Sequence, residues 1–384
     1  MPGGTSRYQR PTLDGLTGIR AIAAGWVLIE HFRLIIFALL PPVEALAPWI
    51  RSGFLGVEVF FILSGFIISY QWADRFAIFT GAQYRTFIYK RFARIYPMQF
   101  VTLVGLGLIV LVAVGMGISL SGEANYTVGN FVGNLFNLQA LPGIASFNNP
   151  AWSISVEFAA YLFFPLIALG LVRVTTSNKG FVAAALLSVA GVASMMIVAA
   201  SVDDSPTGEA MIWLRIATEF TVGCLLFAGW QHLKAKQFGI HWDWVAGGAV
   251  IALVLVLGLT GGEGAGALIT VPVIALFVLS CAGATGPVGR LLSSRLMMWG
   301  GRISYSVYMT HFIVLMVLGE LLSPARFEES SLAMRISIVL FYLLAAVAVG
   351  AVGYHFIEEP ARKLLTRGKK PNSLVREPEP APLN

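Results

Sequence analysis

The sequence contains few charged residues, and this scarcity excludes an ordinary soluble domain. Only 12% of the 384 residues are Asp, Glu, Lys or Arg, whereas 57% are hydrophobic. Soluble domains average about 25% charged and about 45–50% apolar residues. The composition therefore predicts a polytopic membrane protein. The net charge of +6 does not indicate nucleic-acid binding, because the basic residues lie in loops between apolar runs.

Three further absences narrow the class of protein. Cys224 and Cys281 are the only two cysteines, and both lie in apolar runs, which argues against a disulfide framework. The sequence has no HExxH motif and no closely spaced histidine pair, so a metal centre is not expected. It has no Gly-rich loop of the Walker or Rossmann kind, which disfavours a nucleotide-driven motor. The N-terminus lacks the pattern of a cleavable signal peptide, so we interpret the first apolar run as a retained span.

Long apolar runs are the main feature that the sequence does have. A helix needs roughly 20 residues to cross about 30 Å of hydrocarbon. Runs of this length predict an all-α fold with about ten transmembrane helices, at about 17–40, 53–73, 96–119, 152–173, 180–201, 211–231, 244–260, 266–284, 303–322 and 333–357.

The distribution of Lys and Arg predicts the orientation of these spans. Loops rich in Lys and Arg stay in the cytoplasm. If the N-terminus is cytoplasmic, every inner loop is basic, and the outer loops hold only Arg51, Arg326 and Arg335. We therefore expect both termini on the cytoplasmic side.

Two regions stand apart from the spans. Residues 1–366 are predicted to form one transmembrane domain, and the Pro- and charge-rich tail 367–384 is predicted to be a disordered cytoplasmic segment. The longest outer loop, roughly 120–151, mixes Asn, Gly and aromatic residues and has no Lys or Arg. This loop is either a cover over a site beneath it or an ordinary connection.

The first span carries ionisable residues, which are costly inside a membrane and usually mark function. Arg20 and His31 are eleven residues apart, so they share one helix face, with Arg20 near the cytoplasmic boundary and His31 near the midplane. Arg33 lies near the outer surface and is predicted to pair with Glu30 at i, i+3.

Three other spans bring polar groups to the depth of His31. These groups are Glu58, then Glu157 with Ser153 and Ser155 before it, and His311. A histidine near a carboxylate in an apolar bundle suits general-base catalysis. Any one of them could instead be a hydrogen-bonded structural group, and metal binding is the less favoured use of the same side chains. Their convergence predicts a catalytic site that contains His31, Glu157, Glu58 and His311.

The second inner loop, RTFIYKRFARIYPMQF, predicts a binding site for a phosphate-bearing ligand. Arg91 and Arg94 are one helical turn apart, with Arg85 and Lys90 close by. Basic groups beside aromatic residues suit a ligand with phosphates and a flat ring. The alternative is simple anchoring of the span by snorkelling side chains.

These motifs resemble the integral-membrane acyltransferase-3 family of bacterial envelope and antibiotic O-acyltransferases. LTGIRAIAAGWVLIEHF is similar to the first-helix signature of that family, an Arg followed eleven residues later by a His. KRFARIYPMQF is similar to its Arg-x-x-Arg element, and NPAWSISVEFAAYLFFP to its Ser-x-x-x-Glu helix. GFLGVEVFFILSGFIIS, GRISYSVYMTHF and HFIEEPARK are similar to other spans of the family, whereas residues 175–285 add nothing specific.

The resemblance implies transfer of an acyl group, most often acetyl, from cytoplasmic acyl-CoA to a hydroxyl of an acceptor in a bacterial cytoplasmic membrane. The acceptor is an envelope glycan, a lipid-linked sugar or a small metabolite. The resemblance also implies that His31 is the catalytic base or acyl carrier, that Arg20 is its partner, and that Arg91 and Arg94 belong to the CoA-binding side. Glu30 departs from the pattern of the family.

Two other classes of protein are compatible with buried titratable groups. A proton-coupled transporter would use the same His and Glu residues as a relay, although the sequence has no detectable inverted repeat. A structural subunit of an envelope complex would have little need of them. Release of CoA from acyl-CoA would indicate the enzyme, and solute flux without CoA release would indicate the transporter.

Overall fold

A computed structural model describes residues 13–118, 120, 122–171, 179–202, 209–236, 239–263 and 265–367. The regular structure of these residues is helical, with no strand among them. The α-helices in this part of the chain are α1 (Asp14–His31), α2 (Arg33–Leu39), α3 (Ala47–Arg51), α4 (Gly56–Trp72), α5 (Gly81–Gly115), α6 (Val128–Leu135), α7 (Trp152–Leu171), α8 (Lys179–Val202), α9 (Glu209–Lys236), α10 (Trp242–Thr260), α11 (Val271–Gly283), α12 (Pro287–Leu292), α13 (Arg295–Leu321), α14 (Leu332–Gly353) and α15 (Glu359–Thr366).

The helices confirm a multi-pass membrane protein. Nine helical runs in the described residues are long and apolar enough to cross a membrane, and the bent pair α1 and α2 makes a tenth. Each predicted span corresponds to one of these runs. The predicted tail lies outside the described residues except for Arg367.

The first span is bent, whereas the sequence predicts a continuous helix over 17–40. The axes of α1 and α2 meet at 60°. The bend lets α2 bury Ile36 and Leu39 against Tyr342 of α14. His31 is the last residue of α1 and therefore lies at the bend.

Close contacts between helix backbones fix the centre of the bundle. α13 packs between α1 and α14, and α9 packs between α4 and α8. A side chain at Gly301 of α13 would overlap the backbone carbonyl of Thr17 in α1, and one at Gly65 of α4 would overlap that of Phe220 in α9. Small residues let membrane helices approach closely. The glycine at position 301 thereby keeps α1 and α13, which carry the two predicted site histidines, in contact.

The segment between α5 and α7 folds back along α5 instead of leaving the bundle. The Tyr96 hydroxyl of α5 donates to the carbonyl of Leu135, at the end of α6, at 2.8 Å. Further on, the side-chain amide of Asn148 donates to the carbonyl of Met309 in α13 at 2.9 Å. Met309 is two residues from His311, so this segment covers α13 beside that histidine.

Candidate catalytic site

The structure brings together the two predicted site histidines from α1 and α13. The ring centroids of His31 and His311 are 4.8 Å apart, with an interplanar angle of 75°. His311 is 1% exposed, whereas the side chain of His31 is 23% exposed. One imidazole is therefore accessible and the other supports it from within the bundle.

The oxygens around His31 select its tautomer. Its Nδ1 lies 3.0 Å from the carbonyl oxygen of Val27 and 2.9 Å from a carboxylate oxygen of Glu30. A ring nitrogen that faces two acceptors carries a proton, so in the neutral imidazole the lone pair is on Nε2. The neighbouring Glu30 thus has a role that the sequence did not assign, since it orients the imidazole while it also pairs with Arg33 as predicted.

The same geometry recurs at His311. Its Nδ1 lies 2.7 Å from the carbonyl oxygen of Tyr308 and 3.2 Å from that of Val307, so Nδ1 is the donor. Its Nε2 is buried and has no hydrogen-bond partner among the described residues. A buried polar atom without a partner is costly and often marks a functional site.

Arg20 lies on the same face of α1 as His31, as the eleven-residue spacing predicts. Its Nε donates to the hydroxyl of Ser304 at 3.3 Å, and its guanidinium lies over the ring of Phe60 at 5.7 Å. Ser304 and His311 are separated by about two turns of α13. Arg20 and His31 therefore contact one side of the same partner helix.

A cavity lies beside Arg20. Its wall combines three guanidinium groups, one carboxylate and several hydroxyls. The polar lining residues are Arg20, Arg91, Arg94, Glu157, Ser64, Ser153, Tyr161, Tyr305 and Tyr308.

The cavity ends close to the histidine pair without including it. Tyr308 lines the cavity, and its ring centroid is 5.8 Å from that of His311. His311 follows Tyr308 by three residues, a rise of about 4.5 Å along α13. The cationic cavity and the histidine pair are thus adjacent parts of one region.

Glu157, predicted to be catalytic, is held at the wall of this cavity. Its Oε1 accepts hydrogen bonds from the Ser64 hydroxyl at 2.7 Å and from the Tyr161 hydroxyl at 2.5 Å. These two donors keep the carboxylate facing the arginines. The geometry gives Glu157 a place in the cavity and leaves Glu30 as the carboxylate beside His31.

Arg91 and Arg94 both line the cavity, as predicted for a phosphate-binding pair, but their surroundings differ. Arg94 forms an ion pair with Glu358, which is 1% exposed and accepts a second hydrogen bond from Ser306 at 2.6 Å. Arg91 has a buried Nε without a hydrogen-bond partner in the described part of the chain. Arg91 therefore lines the cavity with a hydrogen-bond donor that the described residues do not use.

Arg85 and Lys90, predicted with them, do not belong to the described lining of this cavity. Arg85 is exposed. The ammonium of Lys90 lies 5.3 Å from the ring centroid of Trp72, and the guanidinium of Arg75 lies 4.7 Å from the same ring. Lys90 and Arg75 thus form a basic cluster around Trp72.

Glu58 does not join the histidines either. It faces α9, where Arg215 donates to it at 2.5 Å, and both side chains are almost fully buried. Glu219 of α9 is buried as well. The predicted convergence of Glu58 with His31 is not seen, because the Glu58 carboxylate points to Arg215 of α9. It lies on a different face of α4 from Val57, Phe60 and Ser64, which line the cavity.

Sequence reasoning missed Glu358 and Arg215. Both interrupt apolar runs, Glu358 in HFIEEPARK and Arg215 in MIWLRIATEF, and charge inside such a run was the available signal. Among the described residues, no group of three or more His, Cys, Asp or Glu side chains is arranged to hold a metal ion.

The fold and the site define an all-helical, multi-pass membrane protein in which an arginine-lined cavity adjoins a histidine pair. The chain belongs to the acyltransferase-3 family, because the family model described as an acyltransferase domain matches residues 13–355. It is therefore a membrane acyltransferase.

Curated relatives agree with this assignment. The chain is 28% identical to acyltransferase MdmB of Streptomyces mycarofaciens, over 96% of each sequence. It is 24% identical to the putative peptidoglycan O-acetyltransferase YrhL of Bacillus subtilis, over 91% of this chain and 55% of the relative. It is 22% identical to the O-acetyltransferase OatA of Staphylococcus aureus, over 93% of this chain and 58% of the relative. The chain thus spans little more than half the length of the latter two. No solved structure matches the chain.

Proposed function

We propose that this protein transfers an acyl group, most often acetyl, from acyl-CoA to a hydroxyl group of an acceptor. The observation that carries the proposal is the position of the arginine-lined cavity, which ends about one helical turn from the His31–His311 pair. Two relatives named O-acetyltransferases support transfer to oxygen. The acceptors of those relatives, like the acyl-CoA donor, are assigned to this chain only as part of the proposal.

Acyl-CoA fits the cavity by charge. The donor carries phosphates, and guanidinium groups bind phosphate through paired N–H donors. Arg91 offers a buried N–H without an acceptor among the described residues, and Arg20 contributes a second cation on the side of α1 that leads to His31. Arg94 is already paired with Glu358, so it supports the site more than it attracts a new anion.

The proposed acyl transfer needs one general base, and His31 supplies it. Nε2 accepts the proton of the acceptor hydroxyl, and the hydroxyl oxygen then attacks the thioester carbonyl carbon. A C–O bond forms, the C–S bond breaks, and the departing CoA thiolate takes up the proton from the imidazolium. If His31 is instead an acyl carrier, the same Nε2 attacks the thioester carbonyl carbon, the N–C bond forms, and the C–S bond breaks to release CoA thiolate. The acceptor hydroxyl then attacks the acyl carbon, the C–O bond forms as the N–C bond breaks, and the hydroxyl proton passes to the CoA thiolate. Glu30 and the Val27 carbonyl hold Nδ1 in both cases.

The proposed setting is a bacterial cytoplasmic membrane with both termini in the cytoplasm. In this proposal the donor enters from the cytoplasmic half, where α5 begins, and Arg91 and Arg94 lie in the third and fourth turns of α5. Acceptors compatible with the site are an envelope glycan, a lipid-linked sugar or a small hydroxyl-bearing metabolite. The three relatives come from bacteria.

The direct experiment uses the purified protein in lipid nanodiscs with radiolabelled acetyl-CoA and three acceptors, N-acetylglucosamine, glycerol and 1-decanol. We expect release of free CoA together with one acetyl ester, identified by mass spectrometry. Absence of both products with every acceptor, together with solute flux in proteoliposomes, would favour a transporter and contradict the proposal.

A further inference from the structure

A second pocket adjoins the arginine-lined cavity. We call it the lateral pocket; it lies between α5, α7 and the residues that follow α6. Its lining is mainly aromatic and aliphatic, and the residues used below are Phe92, Tyr96, Gln99, Leu135, Phe136 and Phe158. Ile95 and Ile154 line both spaces. A molecule bound in the lateral pocket is therefore next to the arginine-lined cavity.

One polar side chain of this apolar wall has an atom without a partner. Gln99 is 2% exposed, and its side-chain carbonyl oxygen has no hydrogen-bond partner among the described residues. Two other polar atoms of the lining are engaged, since Tyr96 donates to the Leu135 carbonyl and the Asn137 amide oxygen accepts from Gln139 at 3.2 Å. A buried, unpaired carbonyl oxygen calls for a donor such as a hydroxyl group.

The pocket also borders the exposed periphery of the helix bundle. Phe136, at its rim, is 68% exposed, although it lies beside α5 and α7, which are both spans. An apolar opening on a membrane-embedded surface admits molecules that dissolve in the bilayer. A strongly hydrated sugar would lose its water there and find one free acceptor in exchange.

We propose that the lateral pocket is the acceptor subsite and that it takes a small, mainly apolar alcohol that partitions into the membrane. The inference rests on the proposed acyl transfer and narrows its acceptor class. Phe92, Tyr96 and Phe158 pack against the apolar body, and Gln99 accepts a hydrogen bond from a hydroxyl of the bound molecule. To react, a hydroxyl leaves Gln99, passes the boundary formed by Ile95 and Ile154, and meets the thioester beside His31, where Nε2 takes its proton.

Binding is tested without any acyl donor. The full-length protein in nanodiscs is irradiated with a ten-carbon alcohol that carries a diazirine, and in parallel with the matching diazirine alkane. We expect the alcohol to label residues of the lateral pocket, with at least about fivefold more labelling than the alkane, the value of one neutral hydrogen bond. Labelling spread over the lipid-facing surface, or equal labelling by the two probes, would overturn the inference.

Two pairs of variants locate the site. Gln99→Met should abolish the preference for the alcohol, whereas Gln231→Met, a glutamine of α9 outside the pocket lining, should keep it. Phe136→Ala removes an exposed rim residue and should weaken alcohol labelling severalfold without endangering the fold. Phe163→Ala is its control, because Phe163 is 61% exposed and lies on α7 outside the lining. Unchanged probe preference in Gln99→Met and unchanged labelling in Phe136→Ala would contradict the proposal.

Acylation assays separate this inference from the proposed function. We expect acetyl transfer to 1-decanol with a KM that rises about fivefold in Gln99→Met while kcat stays nearly constant. Transfer to N-acetylglucosamine alone would retain the proposed function and overturn the apolar acceptor. Alcohol binding in the pocket without any acyl transfer would overturn the proposed function instead. A tightly bound phospholipid that the alcohol cannot displace would show the pocket to be a lipid site and also overturn the inference.

Discussion

At the scale of the residue, His31 depends on Glu30 for its orientation. We predict that Glu30→Gln lowers kcat up to about 100-fold with little change in the KM for acyl-CoA, because a displaced base loses its alignment with the reacting hydroxyl. Steady-state kinetics with varied acetyl-CoA measures both constants. Glu44→Gln, at a side chain that is 61% exposed, is the control and should match the wild type. A rise in KM alone would place Glu30 with donor binding and contradict the assignment.

The arginines of the predicted second inner loop, which lie in α5, separate into two groups. Arg91→Ala should raise the Kd for acetyl-CoA by about 10- to 100-fold, since a charged hydrogen bond contributes about 1.5–3 kcal/mol. Arg85→Ala, at an exposed position outside the cavity lining, should change the Kd less than twofold. Equilibrium binding of radiolabelled acetyl-CoA measures the Kd of each variant. Equal effects of the two substitutions would favour a diffuse basic surface over a site at Arg91.

Contacts and shared faces were predicted correctly from the sequence where both residues lie close together in one helical segment. The shared face of Arg20 and His31 follows from the helical repeat, and the Glu30–Arg33 pair follows from i, i+3 spacing. The partners of Arg94 and Glu58 could not be found in this way, because they come from distant parts of the chain: Glu358 and Arg215. Only tertiary packing decides which of several buried charges meet.

At the scale of the element, the contact between α1 and α13 aligns the histidine pair. Gly301→Ala should lower both the melting temperature and the transfer rate, because the added Cβ overlaps the Thr17 carbonyl and pushes the helices apart. Gly319→Ala is the matched control on the same helix, where a Cβ meets nothing within 4 Å. It should be neutral or stabilising by up to about 1 kcal/mol. Thermal unfolding in detergent compares the melting temperatures of the two variants. A Gly301→Ala protein with the wild-type melting temperature and transfer rate would contradict the packing.

Elements were predictable in number and approximate position because a bilayer fixes how long an apolar helix must be. The bend between α1 and α2 was not, since no proline marks it and its cause is burial of Ile36 and Leu39 against α14. The sequence also left open whether the segment 120–151 covers a site. Hydrogen bonds in its described part show that it packs against α5 and α13, beside His311.

At the scale of the whole molecule, the charge distribution predicts which side faces the cytoplasm. We expect a cell-impermeant maleimide to label Glu329→Cys, between α13 and α14, in intact spheroplasts. Lys363→Cys on α15 should react only after lysis. The native cysteines give little background because Cys224 is 0% and Cys281 2% exposed. The reverse pattern of labelling would contradict cytoplasmic termini and donor entry at Arg91.

The most direct measurement compares acetyl-ester formation by wild type, His31→Gln and His241→Gln, purified in nanodiscs with acetyl-CoA and an accepted alcohol. His241, exposed at the start of α10, controls for loss of an imidazole. We expect His31→Gln to bind acetyl-CoA normally and to form ester at least about 100-fold more slowly, the usual contribution of a general base. We expect His241→Gln to retain the wild-type rate. A folded His31→Gln protein with wild-type ester formation would contradict the proposed catalytic role of this histidine.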